Sequence, residues 1–560
     1  MTHAAPGKTA DNGQGTHTSL KRVLLALRDV SPMIAGPLLF AGGGFHLLSA
    51  ALPQLTGRLK SLSDWLPLGV IEFSHLAGSI VGTLMMFVAF GVFRRLQGAR
   101  ILGIALCASG SVFTWLHGAS YLEAIYLAGL CLLLALSGPA YWRQTGVSNM
   151  TPAPVWLLVF VIVICLVGWV GLIRYQSVPY SDELWWRFVL DGDVSRYLRA
   201  AAAVLATCAL IIIWVLFQPK QPLHFSTPEA SELANWLDAA EEARPVTRFA
   251  LTGDKFEFVN EDGSARLFFA VRGNAWISMG GPAGDPDKFS DLVWKFRMEA
   301  DRHNAWTALY SIEESELSPV LDCGLTVRKI GESAILPLPD FSLAGGSKSS
   351  LRQIMRKGEK EGLTLEVQEA GQPISDELAS ELRRVSDAWL SAHGGHEKSF
   401  SLGQFDPDFL SLGMLAIIRQ NGRAVAFVSL LVDPKERRML VDLMRYHEAP
   451  PQTMEWSFLN IALWGQENGW AELDLGMAPL SGLSSRRFSP MTSRLGAMAF
   501  DHGEAVYGFE GLRQFKSKFR PVWRPLYLAS PAGPRAVFAL LTVALLTAGG
   551  WRNLLSGGGK

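Results

Sequence analysis

Through the first 220 residues, long charge-free apolar runs alternate with short polar breaks; beyond them the hydrophobic spacing is that of a water-soluble α/β protein. Crossing a hydrocarbon layer takes roughly 20 mostly apolar residues. Six runs approach that length, at 33–52, 68–93, 101–117, 121–140, 154–172 and 200–217. The run 68–93 carries Glu72 and His75 near one end, at the interface or facing the bundle interior. Residues 1–30 are read as a disordered cytoplasmic tail, 31–220 as a six-helix transmembrane domain. Segment 177–199, with Trp185 and Trp186 among its charges, reads as an interfacial helix.

The soluble part repeats one pattern twice. An amphipathic helix at 228–244 is followed by strands at 248–252 and 256–260, then a hairpin of 265–272 and 275–280 around Gly273-Asn274. Helix 285–304, strand 306–311, helix 313–323 and a short strand near 335–338 complete the first unit. The second has strand 363–368, helix 375–393, a hairpin of 422–432 and 438–445 around a turn at 433–436, helix 452–468 and strand 471–475. Alternation of this kind predicts two mixed-sheet α/β units side by side, over 221–345 and 346–530. Residues 531–560 are read as a C-terminal helix whose apolar stretch 536–551 is short for a span, so it is expected to lie on the domain or on the membrane surface.

Composition narrows the class. Lys+Arg and Asp+Glu both number 51, and 49% of the residues are hydrophobic. Residues 1–219 carry 14 basic and 9 acidic side chains, so the remainder has a net charge of −5; a nucleic-acid partner needs a local patch. With six spans, one side holds Lys21, Arg22, Arg28, Arg94, Arg95, Arg100, Arg143 and Lys220, against Arg58, Lys60, Arg174, Arg187, Arg196 and Arg199 on the other. That bias places the soluble part in the cytoplasm. Four of five cysteines fall in apolar runs and none forms a CxxC pair, so reduced thiols are expected and no metal site. His393 and His396 lack a third ligand and read as loop residues.

Walker A, GxGxxG, GxSxG and HExxH patterns are missing. The glycine-rich run 280–286 lies between strand and helix and suits a turn or an anion seat. Lys348, Arg352, Arg356 and Lys360 recur at every fourth position, presenting either a phosphate-binding stripe or a solvated face. Asp442 and Arg445 lie near the end of an apolar strand, where charges must pair or serve a site. Regular strand geometry puts positions three apart on opposite faces, so a shared site demands a bulge or a strand end. Residues 509–524 mix Arg513, Lys516, Lys518, Arg520 and Arg524 with Phe509, Phe515, Phe519 and Trp523, which suits stacking and phosphate contact or an ordinary amphipathic segment.

Residues 266–530 resemble the catalytic part of the bacterial multiple peptide resistance factor family, the aminoacyl-phosphatidylglycerol synthases. The stretches that carry the resemblance are GGPAGDP (280–286), LRQIMRKGEKEGL (351–363), EKSFSLGQFDP (397–407), VDLMRY (441–446), LGMAPLSGL (475–483), RLGAMAFDHGEAVYGFEGLRQFKSKFRPVW (494–523) and RPLYLA (524–529), with EFSHLAGS (72–79) in the membrane half. Longer members carry further upstream helices associated with lipid translocation; this chain begins after them, so no flippase function is expected.

The resemblance implies a polytopic α-helical membrane domain followed by two tandem GNAT-type acyltransferase folds. The implied reaction moves a lysyl or alanyl group from aminoacyl-tRNA to phosphatidylglycerol, without a cofactor, at the inner face of a bacterial membrane, and the product confers resistance to cationic antimicrobial peptides. It also implies roles: Asp442 as general base, Arg445 as a binder of lipid phosphate or substrate, and Lys516, after Phe515, facing the developing oxyanion. Ser481, Arg494, Glu510 and Arg513 become substrate contacts, and the 348–360 helix takes the tRNA acceptor stem. All of this requires Asp442, Arg445 and Lys516 to converge on one cavity. Rival readings are an acyl-CoA-dependent N-acyltransferase, a Fem-type peptidoglycan aminoacyltransferase and a lipid transporter with a regulatory soluble half. For the first, a glycine-rich pyrophosphate loop is expected where Ala449-Pro450-Pro451-Gln452 stands.

Overall fold

The computed structural model describes residues 12–51, 68–116, 121–143, 154–175, 193–216, 225–393, 396–483, 486, 509–550 and 553. They divide into two compact units, one built from the N-terminal helices and the other from Leu223 onward.

All six apolar runs are helices: α1 (Asn12–Ala51), α2 (Leu68–Phe93), α3 (Gln97–Leu116), α4 (Tyr121–Leu136), α5 (Pro154–Tyr175) and α6 (Asp193–Leu216). Three of them contain stretches long and apolar enough to cross a membrane, Asp29–Ser49, Leu76–Phe93 and Tyr197–Trp214; Leu122–Leu136 and Val155–Val170 are shorter apolar helices. The helix α1 begins at Asn12, inside the stretch expected to be a disordered tail. Leu20–Arg28 consists of good helix formers, so the helix propagates back through it. Most of the 177–199 segment lies outside the described residues.

Glycine sets how closely α1 and α2 cross. A Cβ on Gly43 would sit 2.6 Å from the Gly82 carbonyl oxygen, and one on Gly82 would sit 2.9 Å from that of Gly43. Backbone-to-backbone approach of this kind is what small residues permit between helices in lipid. Val155, Leu158, Val161, Trp169 and Leu172 on α5 point outward and are exposed, an apolar surface that water would not tolerate and lipid would. One polar pair is sealed inside: His46 Nδ1 lies 2.7 Å from Glu123 Oε1, with Thr114 Oγ1 at 3.3 Å.

The second unit is built on one 12-stranded sheet. Its first half comprises α7 (Ala230–Ala239), β1 (Phe256–Val259), β2 (Ala265–Arg272), β3 (Ala275–Met279), the short β4 (Ala283–Gly284), α8 (Phe289–Arg302), β5 (Trp306–Ile312), α9 (Leu317–Asp322) and β6 (Thr326–Pro337). The second half comprises α10 (Ser349–Lys360), β7 (Leu363–Gln368), α11 (Asp376–Ala392), α12 (Pro407–Ser411), β8 (Met414–Gln420), β9 (Arg423–Asp433), β10 (Arg438–Tyr446), α13 (Thr453–Glu467), β11 (Glu472–Pro479), α14 (Phe509–Ser517), β12 (Val522–Ser530) and α15 (Arg535–Thr547). In each half an antiparallel meander leads through a helix to a parallel strand: β1-β2-β3 then α8 then β5, and β7-β8-β9-β10 then α13 then β11. The same order occurs twice, the topology expected of two tandem GNAT-type folds.

The halves are not separate sheets. Strand β12 leaves the second half and inserts between β5 and β6 of the first, while β6 pairs with β11 of the second. One core, containing Phe427, Leu431 and Leu443, fills one face of the second half; another, containing Val428, Leu430 and Val432, fills the opposite face, as the alternation of β9 dictates. Residues 248–252, expected as a strand, belong instead to a 3-10 stretch, Pro245–Thr252. Pro245 opens it, Gly253 at φ +74° closes it, and all but its last residue are buried.

Candidate active site

The ladder between β10 and β11 pairs Arg438–Leu440 with Glu472–Asp474 and then stops, although both strands continue. Beyond that point the two strands no longer pair. On β10 the pairing with β9 shifts register between Val441 and Met444. The bulge re-aims side chains, so Asp442 and Arg445 both reach the face covered by α11 and the 397–405 loop.

Asp442 is 8% exposed, and its Oδ1 accepts a 2.8 Å hydrogen bond from the Gly403 amide. Its Oδ2 has a long 3.5 Å contact with Ser429 Oγ, which in turn accepts from the Leu443 amide at 2.9 Å. Burial pushes the Asp442 carboxyl up to about 6, against the opposing pull of the Gly403 amide. Glycine is required at 403, because a Cβ there would collide with Asp442 Oδ2.

Arg445 makes a bidentate pair with Glu397, at 2.8 and 2.6 Å, bonds Ser386 Oγ from α11, and lies 5.6 Å from the Trp389 ring. Glu397 also accepts from the Phe405 amide at 3.2 Å. Asp442 and Arg445 therefore grip opposite ends of one loop. The first half holds its middle: Asp254 Oδ2 accepts from the Phe400 amide at 2.7 Å, while Lys255, pushed down by burial, sits 5.4 Å from the Phe400 ring and bonds the Phe249 carbonyl at 2.7 Å.

Removing Glu397 strands a guanidinium whose side chain is only 3% exposed, whereas Glu397 itself is a third exposed. Glu397→Ala is therefore expected to cost about 2–3 kcal/mol, below the usual figure for a fully buried pair because solvent screens the carboxylate. Thermal unfolding should show Glu397→Ala as more damaging than Glu397→Gln; equal Tm values for both and the parent would refute the clamp.

Lys516 approaches from the other face. Its neighbour Phe515 packs edge-on against Phe458 and Phe519 in the second core. Its Nζ, 4% exposed at the residue level, donates to the carbonyls of Gly476 (2.9 Å) and Met477 (3.0 Å). A Cβ on Gly476 would lie 3.5 Å from that Nζ and 3.8 Å from the Val441 carbonyl oxygen, so the ammonium stands at the gap where β10 and β11 part. Burial pushes the Lys516 ammonium down to about 8, opposed by Asp474. Asp474 is itself pushed up by burial and is held by Ser333 Oγ at 2.6 Å and the Gly476 amide at 2.7 Å. Asp442 and Lys516 thus flank the same short piece of β10 from opposite faces rather than lining one wall.

The remaining residues singled out in the sequence are spread more widely. Ser481 and Arg513 meet at Glu332: Arg513 pairs with it at 2.7 Å and Ser481 Oγ lies 3.5 Å away, while Arg513 also stacks 4.5 Å from the Trp523 ring. Arg494 and the side chain of Glu510 lie outside the described residues. On α10, Leu351, Ile354 and Gly358 face inward, and a Cβ on Gly358 would strike Trp456 of α13. Lys348 and Arg352 fold back onto loop carbonyls, the latter bonding Leu343 at 2.7 Å and Gly345 at 2.6 Å. Arg356, Lys357 and Lys360 remain on the exposed face. The glycine-rich run 280–286 is filled by the protein's own anion, since the Gly281 amide donates to Glu316 at 3.1 Å.

Sequence reasoning passed over Glu397, Asp474 and Glu332, and the buried ion network that joins the halves. There Arg244 pairs with Glu313 (2.8 Å) and Glu316, and Arg438 with Glu313 (3.1 Å) and Glu472 (3.3 Å), around a polar cleft of about 270 Å³ including its open mouth. For Glu397 a signal existed, because it opens the EKSFSLGQFDP stretch; the others depend on contacts across 34 to 181 residues.

Comparison with known proteins places these features. Residues 235–530 match the family described as phosphatidylglycerol lysyltransferase, C-terminal. A phosphatidylglycerol lysyltransferase of Bacillus subtilis (strain 168) is 27% identical over 503 residues, covering 88% of this chain and 57% of that protein. The chain spans about half the length of the curated relatives it matches. Among solved structures, the C-terminal domain of a candidate lysylphosphatidylglycerol synthetase from Agrobacterium fabrum is 36% identical with a TM-score of 0.52, covering 58% of this chain and 99% of its own. L-PGS from Bacillus licheniformis is 32% identical with a TM-score of 0.51, over the same shares. With its family match extending over more than half its length and through β12, the chain belongs to the phosphatidylglycerol lysyltransferase C-terminal family.

Proposed function

We propose that this protein transfers an aminoacyl group, lysyl or alanyl, from aminoacyl-tRNA to a glycerol hydroxyl of phosphatidylglycerol at the inner face of the cytoplasmic membrane. The observation that carries it is Asp442: a buried carboxylate at a strand bulge, with one oxygen lacking a short bond, at the gap where β10 and β11 part. The relatives' names supply the reaction class.

The reacting ester carbonyl is placed in that gap. Asp442 takes the proton of the lipid hydroxyl as its oxygen attacks the carbonyl carbon. The tetrahedral oxyanion is stabilised by the remaining proton of Lys516 Nζ, whose other two are engaged by backbone carbonyls. Collapse breaks the bond to the tRNA ribose oxygen, which leaves with the proton from Asp442. An aminoacyl ester is already activated, so positioning, proton transfer and oxyanion stabilisation suffice. Arg356, Lys357 and Lys360 on the outer face of α10 supply the cations for a tRNA backbone. Arg445, whose two terminal nitrogens are engaged by Glu397 and Ser386, acts through the loop it holds.

The test is lipid mass spectrometry after expression in a host lacking aminoacylated lipids, paired with RNase treatment of extracts. The expected result is phosphatidylglycerol with the mass increment of one amino acid, lost on RNase treatment. An increment that persists without RNA, or one matching a fatty acyl chain, would count against tRNA as donor.

A further inference from the structure

The helix α15 closes the chain's second unit and carries no charged residue between Ala536 and Gly550. Ala536, Ala539 and Val543 are buried in the core, as helical spacing requires for one face. Its outward row is Val537, Phe538 and Leu541, which are 52%, 55% and 38% exposed. A helix docked on a water-soluble domain ordinarily turns charges outward; this one turns three large apolar side chains. Beside it, between α15 and β6, lies a cavity of about 350 Å³ including its open mouth, walled by Leu480, Leu483, Leu528 and Leu540 and carrying Arg328 and Lys329. Lys329 leans on Glu332 at 2.7 Å, while Nη1 of Arg328 is buried without a hydrogen bond among the described residues.

We propose that this slot and the outward row of α15 seat an anionic phospholipid, its phosphate at Arg328 and its acyl chains over Val537, Phe538 and Leu541. Charge selects the occupant. The slot offers cations and the helix face offers no carboxylate, so an apolar peptide would leave the Arg328 guanidinium without a counter-charge. An amphiphile with a phosphate head satisfies both parts at once. The proposal rests on the assigned function only in the kind of lipid it names.

The full chain in lipid nanodiscs tests it. Phe538→Cys, in a background with the five native cysteines replaced by alanine, carries an environment-sensitive fluorophore, and the lipids carry an acyl-chain quencher. Blue-shifted emission, quenched more strongly by labelled phosphatidylglycerol than by labelled phosphatidylcholine, is expected. Arg328→Gln should weaken that preference about fivefold, the effect of one cation at an anionic surface, and Arg328→Lys should retain it. Water-like emission unquenched by either lipid overturns the proposal. So does equal quenching by both lipids unaffected by Arg328→Gln, or displacement by inorganic phosphate alone. Product formation is not read, so failure of the transferase assignment and failure of the lipid seat remain distinguishable.

Discussion

Asp442→Asn is expected to lower transfer by about 10²–10⁴-fold, the range for loss of a positioned general base, while the protein stays folded. Asparagine keeps an oxygen that can accept from the Gly403 amide, so the 397–405 loop stays anchored. It removes the charge that burial opposes. Because the folded Asp442 carboxyl titrates near 6, above the ordinary carboxylate value, the parent is relatively most stable below about pH 4 and loses that advantage as pH rises through 6. The variant lacks this penalty, worth up to about 3 kcal/mol, so its Tm relative to the parent should rise between about pH 4 and pH 6 and level off above that. Asp442→Ala separates two jobs. It leaves the Gly403 amide unpaired, at a cost of about 1–3 kcal/mol, and should lose stability as well as activity. If Asp442 serves only to hold the loop, Asp442→Asn will transfer amino acid within a few fold of the parent, and the general-base assignment fails.

Much of this architecture was legible in the sequence because local patterns agreed with the final packing. The six apolar runs are helices, the two hairpins fall where Gly273-Asn274 and the 433–436 turn place them, and α11 and α13 match their hydrophobic periods. Strands β8 and β12 were not seen. The burial pattern of β8, five buried residues in succession, has no alternation to detect. Strand β12 carries Arg524 and Pro525, which argue against a central strand. It nevertheless lies between β5 and β6, tolerated through a register shift between Leu526 and Tyr527 and an Arg524–Glu472 ion pair. The exchange of β12 into the first half is a long-range choice that no window of sequence contains. Strand β6 was seen only at its apolar end; its first half, Thr326–Glu332, is charged because it faces Glu332's partners and the slot under α15.

The site followed the same division. Asp442 and Arg445 stood out because charges in an apolar strand are expensive, and the bulge that lets them share a face was a stated requirement. What spacing could not supply was their partners. Arg445 pairs with Glu397, 48 residues away, and Asp442 accepts from Gly403, 39 residues away. Nor could it reveal that Lys516 arrives from the opposite core, since that depends on how α14 packs Phe515 and Phe519 against Phe458. Proximity to Asp442 is therefore achieved through the parting of two strands rather than through a common wall.

Lys516→Met should reduce turnover by about 10²–10³-fold, the usual loss for one donor to a developing oxyanion, with a much smaller change in KM for aminoacyl-tRNA. Methionine preserves length and apolar packing beside Phe458, and it deletes the ammonium that the Gly476 and Met477 carbonyls hold at the gap. The pH profile gives a sharper readout than the rate. In the parent, Asp442 must be deprotonated, which requires pH above about 6, and Lys516 must keep its proton, which requires pH below about 8. Activity should therefore rise through 6, plateau, and fall through 8. Lys516→Met should retain the acidic limb and lose the alkaline one. Lys516→Arg, charged throughout this range, should recover part of the rate and also lack the alkaline limb. A methionine variant within a few fold of the parent, or one whose activity still falls through pH 8, would mean that Lys516 only ties α14 to β11 and that the oxyanion is stabilised elsewhere.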